Sequence, residues 1–440
     1  MIIRYDDALP LLVDLLRKSM PPEFFINNLI YRDADGVLSV VLRDEIPEEL
    51  LTAFEKKENN LGDYISSPVF LTPDDLFDTN LQEKDNDDWE LVNIHGEQIY
   101  IRYVEKRIVG SDWVRGILTD TIPSVPPIVV FASLKGGVGR STALSVAGFE
   151  FAKRGKKVLA IDLDLEAPGI GSILLSHDNL PEFGALDYYV ENGRSEISPE
   201  FIENLYQSSY KCENGGEIHV LPASGKRCHD HPENVLGKIS RSYLETNECG
   251  IVKTFLDKTR DMISAICSHL SYDVIFIDAR AGLNETTAAT IQGLGADVLF
   301  FGIDTPQTWE GYKYFLSHLA RYKNRTSLEN DWRYKIKMIH AKAKPGEQSG
   351  KAYRDNSFDL FASYLYDEID GNENAEGLPD AFSFDLDDYS APHYAWPIYM
   401  SEAFYEYDPQ SSEKIPESII EESYGDFIER LYERVFSNGA

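Results

Sequence analysis

The chain has 440 residues, with 74 Asp and Glu against 42 Lys and Arg, a formal net charge of −32 at pH 7. So acidic a chain argues against a nonspecific grip on DNA, which needs a basic face to displace counterions, and against docking on an anionic membrane. Hydrophobic residues make up 43% and aromatic residues 12%, the content of a globular chain long enough for two or three domains rather than of a disordered one.

The start is broken by Arg4, Asp6 and Asp7, so no signal peptide is expected there. Nor does any apolar run approach the roughly 20 residues of a membrane span, and the expectation is a cytoplasmic protein. Residues 8–20 (ALPLLVDLLRKSM) carry the leucine spacing of an amphipathic helix. Residues 31–43 read as two short strands around an Asp35-Gly36 turn, and 48–57 as a further helix. The acid-dense stretch 74–90 reads as a solvated loop, with strands at 98–104 and 107–109 after it. Arg102, Arg107, Asp112, Trp113 and Arg115 are either a binding face or a partly exposed strand. The proline-bearing segment 121–127 (TIPSVPP) reads as a linker, dividing an N-terminal α+β domain, residues 1–122, from residues 123–440.

From Pro127 the pattern changes. The run PIVVFASLKGGVGRST opens with a buried β-branched strand, passes through Gly136, Gly137 and Gly139, and continues into apolar residues at helical spacing. Strand, glycine-rich loop, helix is the geometry of a phosphate cradle: backbone N–H groups turn inward on an anion and the helix adds its positive end. A hydroxyl at the helix start can hold a magnesium ion bridging the phosphates. Apolar strands then recur at 157–162, 217–223, 273–278, 298–303 and 336–340, with helices at 252–270, 284–294, 309–322 and 358–366. That alternation predicts a doubly wound, mostly parallel sheet. The intervening stretch from Pro168 to Glu217, rich in aromatics and acids, suggests helices packed over one edge or around a partner surface. Residues 372–388 read as an acidic loop, and the acidic amphipathic tail 413–436 as a helix packed back on the core. Cys212, Cys228, Cys249 and Cys267 form no CxxC pair. Cys228 beside His229 and His231 supplies only half of a metal ligand set, so free cysteines are expected.

Residues Lys135, Gly136, Gly137, Val138, Gly139, Arg140, Ser141 and Thr142 resemble the deviant P-loop of the MinD/ParA group of ATPases, K-G-G-x-G-K-[ST]. Two further motifs fit the group: Asp162 and Asp164 at the end of the second strand, and Asp278 with Gly282 and Leu283 after the fourth. The resemblance covers about residues 127–407 and implies a P-loop domain that binds ATP and Mg2+ and closes as a homodimer. By that likeness Lys135 reaches the neighbouring subunit's phosphates, residues 136–142 hold the nucleotide, and Asp164 orients the attacking water. Ser141, Asp162 and Asp278 serve the metal, and Gly282 senses the γ-phosphate through its N–H. Arg280 is open between a phosphate, a dimer mate and a nearby acid. Residues 304–311, 343–345 and 392–393 are candidates to border the base. The departure is Arg140, where the group has lysine; arginine keeps the charge but is planar and forked. Nucleotide binding is therefore expected and fast hydrolysis is not. Two readings follow: a slowly hydrolysing, dimerising switch that acts on a protein partner through the N-terminal domain, or a non-hydrolysing ATP sensor or scaffold. Nucleic acid and membrane are not expected as direct partners.

Overall fold

In the computed structural model, residues 3–55, 64–84, 88–106, 110–194, 196–248, 251–325, 331–367, 381–411 and 414–436 are described. The chain divides into two units, Met1–Val114 and Arg115–Ala440. The first is α+β. Its opening helix, Tyr5–Ser19, buries Ala8, Leu12, Val13 and Leu16, the stripe that the leucine spacing predicts. It covers a sheet of β1 (Leu29–Arg32), β2 (Leu38–Val41), β3 (Ile65–Leu71), β4 (Asp88–Ile94) and β5 (Glu97–Glu105) in the order β3-β2-β1-β5-β4. β1 and β2 pair antiparallel across the expected turn, where Asp33 accepts from the N–H groups of Asp35 and Val37.

Two expectations for this unit need correction, and one strand was not foreseen. The acidic stretch 74–90 is not all solvated loop: Leu81 is buried and β4 starts at Asp88. Pairing of β4 with β5 along its whole length, with Val92 and Ile94 buried, outweighs the local acidity. β3 escapes the sequence pattern because Ser66, Ser67 and Pro68 interrupt it, as an edge strand permits. Asp112 and Trp113 are buried, so they form no exposed face. Arg102 stacks on Trp89, Arg115 pairs with Asp257, and residues 107–109 lie outside the described residues.

The second unit is built on β6 (Ile128–Ser133), β7 (Lys157–Leu163), β8 (Gln207–Lys211) and β9 (Glu217–Leu221). β10 (Thr246–Glu248) and β11 (Ile251–Lys253) form a separate antiparallel pair, and the main sheet is completed by β12 (Val274–Ala279), β13 (Asp297–Gly302), β14 (Ile336–Ala343) and β15 (Trp396–Tyr399). Its order is β15-β14-β13-β6-β12-β7-β9-β8, parallel except for β8. This is the doubly wound P-loop sheet that the motif order predicts. Residues 115–126 run along this unit, with the Leu118 N–H bonded to the Gln292 carbonyl and Ile122 buried. β8 and β15 are absent from the sequence reading, since short edge strands carry little hydrophobic pattern.

Alternation sorts the strands' side chains. Val129 and Phe131, Val158 and Ala160, Val274 and Phe276, Leu299 and Phe301 all join one core. Against it lie the helix Arg140–Lys153 and the tail helix Glu417–Phe436, which packs back as expected through Phe427, Ile428 and Leu431. On the opposite face Phe300 meets Tyr312 and Phe315 of the helix Pro306–Leu319. Phe427 is fully buried with its ring 6.2 Å from Phe301 and 6.5 Å from Phe131. Phe427→Ala should therefore cost about 3–5 kcal/mol in urea unfolding, the usual range for emptying a phenylalanine site. A loss below about 1 kcal/mol would show that the tail helix is dispensable to the core.

Candidate functional site

At the end of β6 the chain turns through residues 134–139 into the helix Arg140–Lys153. Gly137 and Gly139 take φ angles of +73° and +95°, which side chains resist. A Cβ built at Gly136, Gly137 or Gly139 would meet nothing within 4 Å, so the loop is an open cradle. No side chain caps the helix at Gly139. Its first-turn N–H groups are left to an external anion. A cavity of about 300 Å³ lies against the loop, lined by residues 137–142 and by Lys342, Ile398, Met400, Phe404 and Tyr405 among others. Lys342 donates from Nζ to the Gly137 carbonyl at 2.8 Å.

Neighbouring strands bring the carboxylates here. Parallel pairing of β7 with β12 sets Asp162 directly opposite Asp278, at 0% and 1% exposure. Asp162 accepts from three backbone N–H groups, those of Asp164, Gly169 and Ile170 at 3.1, 2.9 and 3.0 Å. Burial, reinforced by the Asp278 charge, still pushes its carboxyl up to about 8. Burial likewise pushes Asp278 up to about 6, against the pull of the Arg140 guanidinium and the Ser141 hydroxyl. Asp164 is raised by burial too, with Arg140 opposing. The Ser141 hydroxyl donates to Asp278 Oδ2.

Arg140 is itself buried. Its Nη2 stands 3.5 Å from Asp164 Oδ2 and its Nε 3.6 Å from Asp278 Oδ1, while Nη1 has no hydrogen-bond partner among the described residues. The guanidinium is thus shared between two carboxylates and saturated by neither. Thr142 lines the cavity and Val138 is buried beneath the loop. Lys135 is half-buried, and its ammonium has no ion pair among the described residues. Gly282, at φ +96°, donates its N–H to the Ser133 carbonyl at 3.0 Å. The N–H expected to face a phosphate is therefore bonded here to the end of β6.

Arg280 reaches an acid: its Nη1 lies 2.6 Å from Glu166 Oε1, which also accepts from the Tyr243 hydroxyl at 2.7 Å. Tyr243 did not stand out in sequence, because it lies 77 positions from Glu166. The residues lining the cavity opposite the loop were also missed. They are Lys342, residues 398–401, Phe404, Tyr405 and Tyr424, whereas His393 is fully buried and bonded to Tyr366. Cys228 contacts Lys238 and Asp187, and His229 packs edge-on to His177. No group of three or more His, Cys, Asp or Glu poised for a metal occurs among the described residues, and Cys249 lies outside them.

The donor set at the cradle suits Mg2+. Asp278 Oδ1 is buried without a hydrogen-bond partner among the described residues, and the Ser141 hydroxyl sits on the other oxygen. One carboxylate and one hydroxyl, with phosphate oxygens and water, are what Mg2+ ordinarily takes, so the residues fit. Asp162 has both oxygens occupied by backbone N–H groups, which suits an outer supporting place.

No protein-family model matches the chain. An uncharacterised ATP-binding protein of Methanocaldococcus jannaschii is 29% identical over 161 residues, 37% of this chain and 47% of that protein; the chain thus spans about half of its length. Among solved structures, the ParA protein of pNOB8 bound to nonspecific DNA aligns with TM-score 0.41 at 15% identity, over 72% of this chain and all of that one. A plasmid partition protein of Borrelia burgdorferi aligns with TM-score 0.36 at 19% identity, over 52% of this chain and 85% of that one. Among the described residues no helix is long and apolar enough to cross a membrane.

The buried acids make a pH prediction. Both Asp162 and Asp278 titrate above the ordinary carboxylate range. Between about pH 4 and about pH 8 the folded state therefore holds protons that the unfolded chain has released, so stability falls as pH rises. The ligand-free protein should melt at a lower temperature at about pH 8 than at about pH 5, and Asp278→Asn should flatten that slope. An unchanged slope in Asp278→Asn would remove this carboxyl from the balance.

Proposed function

We propose that the second unit binds ATP with magnesium at the cradle and acts as a nucleotide-dependent switch with slow hydrolysis. The observation that carries this reading is the open, uncapped glycine loop at the end of β6, facing Asp164 and Asp278 at the ends of neighbouring strands. The likeness to an ATP-binding protein over 161 residues supports the choice of nucleotide.

Each residue then has a part. The N–H groups of residues 136–142 bind the β- and γ-phosphates, and Arg140 turns its guanidinium from the carboxylates toward them. Magnesium, when bound, neutralises phosphate charge; Ser141 and Asp278 hold it, with Asp162 behind. Asp164, released from Arg140, orients a water in line with the γ-phosphate. Residues 398–401 with Phe404 and Tyr405 take the base side of the cavity. Lys135, without an ion pair among the described residues, reaches the phosphates of a second subunit in a homodimer. Gly282 exchanges its bond to Ser133 for one to the γ-phosphate, and the first unit passes the state to a protein partner. Phosphoryl transfer rests on such positioning and charge stabilisation.

A second reading is favoured by one observation. In the structure Arg140 is bound to Asp164. If that pair persists with nucleotide present, Asp164 cannot serve a water and the protein is an ATP sensor that does not turn over. A lysine, shorter and a point charge, would leave Asp164 free.

Calorimetric titration with magnesium-ATP, followed by chromatography of the bound nucleotide, tests both. The switch predicts binding with slow recovery of ADP, and size-exclusion chromatography in ATP predicts a dimer that Lys135→Ala abolishes. Arg140→Lys should raise turnover by on the order of tenfold or more, about 1.4 kcal/mol of barrier. Turnover that appears only in Arg140→Lys would establish the sensor instead. Absence of any ATP binding sinks both readings. Duplex DNA captured in the ATP state would redirect the partner reading, despite the net charge of −32.

A further inference from the structure

β14 ends in an irregularity beside the glycine loop. His340 and Ala343 pair with Pro397 and Tyr399 of β15, so β14 carries one residue more than its partner across that gap. The ladder resumes beyond it, where the Met400 N–H donates to the Ala343 carbonyl at 3.0 Å. One extra residue in a strand pair is a β-bulge, uncommon between parallel strands, and it bends the strand and re-aims a side chain.

The side chain re-aimed here is that of Lys342. Its φ is +52°, in the left-handed region that such bulges usually give to glycine. Among the described residues of the second unit, Ser124 is the one other non-glycine residue with positive φ. A lysine so placed bears a strain that glycine would relieve. Strain alone assigns no role.

The destination of the side chain does. Lys342 Nζ lies 2.8 Å from the Gly137 carbonyl, 205 positions away in sequence, and lines the cavity that residues 137–142 line. An ammonium has three N–H donors, and the carbonyl takes one. Lys342 forms no ion pair among the described residues, so its charge stands at the rim of the loop without a carboxylate to neutralise it.

The surroundings agree. In a chain with 74 acids against 42 bases, no Asp or Glu is among the described residues that line this cavity, and the cations lining it are Arg140 and Lys342. Arg140 is divided between Asp164 and Asp278. Lys342 is the cation there that no carboxylate holds back, and as a compact point charge it differs from the forked guanidinium that replaces lysine within the loop.

We propose that Lys342 is a phosphate-binding residue of the cradle, supplying from β14 the free ammonium that the glycine loop itself lacks. It keeps one N–H on the Gly137 carbonyl and turns the others to the phosphates of the bound nucleotide. The bulge and its strained backbone are what carry the ammonium from the end of β14 to the loop. No covalent bond is made or broken. This role rests on the cradle's binding a nucleotide, and adds to that reading a residue from outside the motif.

Calorimetric titration of the full chain with magnesium-ATP, and separately with magnesium-tripolyphosphate, tests it. Lys342→Gln keeps a donor for the Gly137 carbonyl but removes the charge, and should weaken both ligands by about tenfold or more. Lys342→Gly, which relieves the backbone, should lose as much affinity while the nucleotide-free protein melts no lower than the wild type. If Lys342→Gln binds ATP as tightly as the wild type, the lysine only props the loop; the proposal falls and the cradle reading stands. A loss confined to ATP also overturns it, because the base and not the phosphates would then be the partner. So does a lower melting temperature in Lys342→Gly with affinity kept. Absence of binding of either ligand by the wild type sinks the cradle reading itself, and this role with it.

Discussion

The candidate site depends on one buried electrostatic compromise. β7 and β12 are in a register that sets Asp162 opposite Asp278, both out of water, with Asp164 two residues on. Several carboxylates so placed cannot all be ionised cheaply, because each loses hydration and repels the others. Two responses are built in. Asp162 takes three backbone N–H donors, and Arg140 is drawn between Asp164 and Asp278. Neither suffices, which is why the acids remain above their ordinary range. An anion arriving in the loop would enter this balance directly, since it competes with Asp164 and Asp278 for one guanidinium.

Arginine rather than lysine matters for that competition. A lysine ammonium would be a single point of charge, free to turn wholly to an anion. The guanidinium holds two carboxylates with different nitrogens, at 3.5 and 3.6 Å, and keeps a third nitrogen without a hydrogen bond among the described residues. It can therefore reach outward with one nitrogen while keeping a carboxylate with another. Binding and release of the acids become separable, which is the physical root of the two functional readings.

Much of this was legible in the sequence, for identifiable reasons. β6, β7, β12, β13 and β14 are buried on both faces, so their apolar runs are continuous, and the glycine loop follows the first of them in a pattern few structural turns would produce. The motif carboxylates end such runs, so their meeting could be foreseen. What stayed hidden depends on pairing across distance. β4, β8 and β15 draw their identity from neighbouring strands rather than from their own residues. The partnership of Arg280 with Glu166 and Tyr243, and the placing of residues 398–405 beside the loop, need the fold before they exist. Asp112 and Trp113 erred the other way: a charged and an aromatic residue near a strand look like a surface, yet both are buried.

The same long-range bonds join the parts of the site mechanically. Gly282 is tied to Ser133 at the end of β6, and Arg280, two residues earlier, is tied to Glu166 after β7 and through it to Tyr243. Tyr243 follows the helix Val235–Ser242, whose Leu236 is 78% exposed. A loop that moves to meet an anion must take Arg280 with it, and Glu166 can keep Arg280 and Tyr243 only if the Tyr243 segment moves as well or gives up a bond. Because Glu166 Oε2 is buried and already unpaired among the described residues, losing either donor to Oε1 leaves the carboxylate less compensated still.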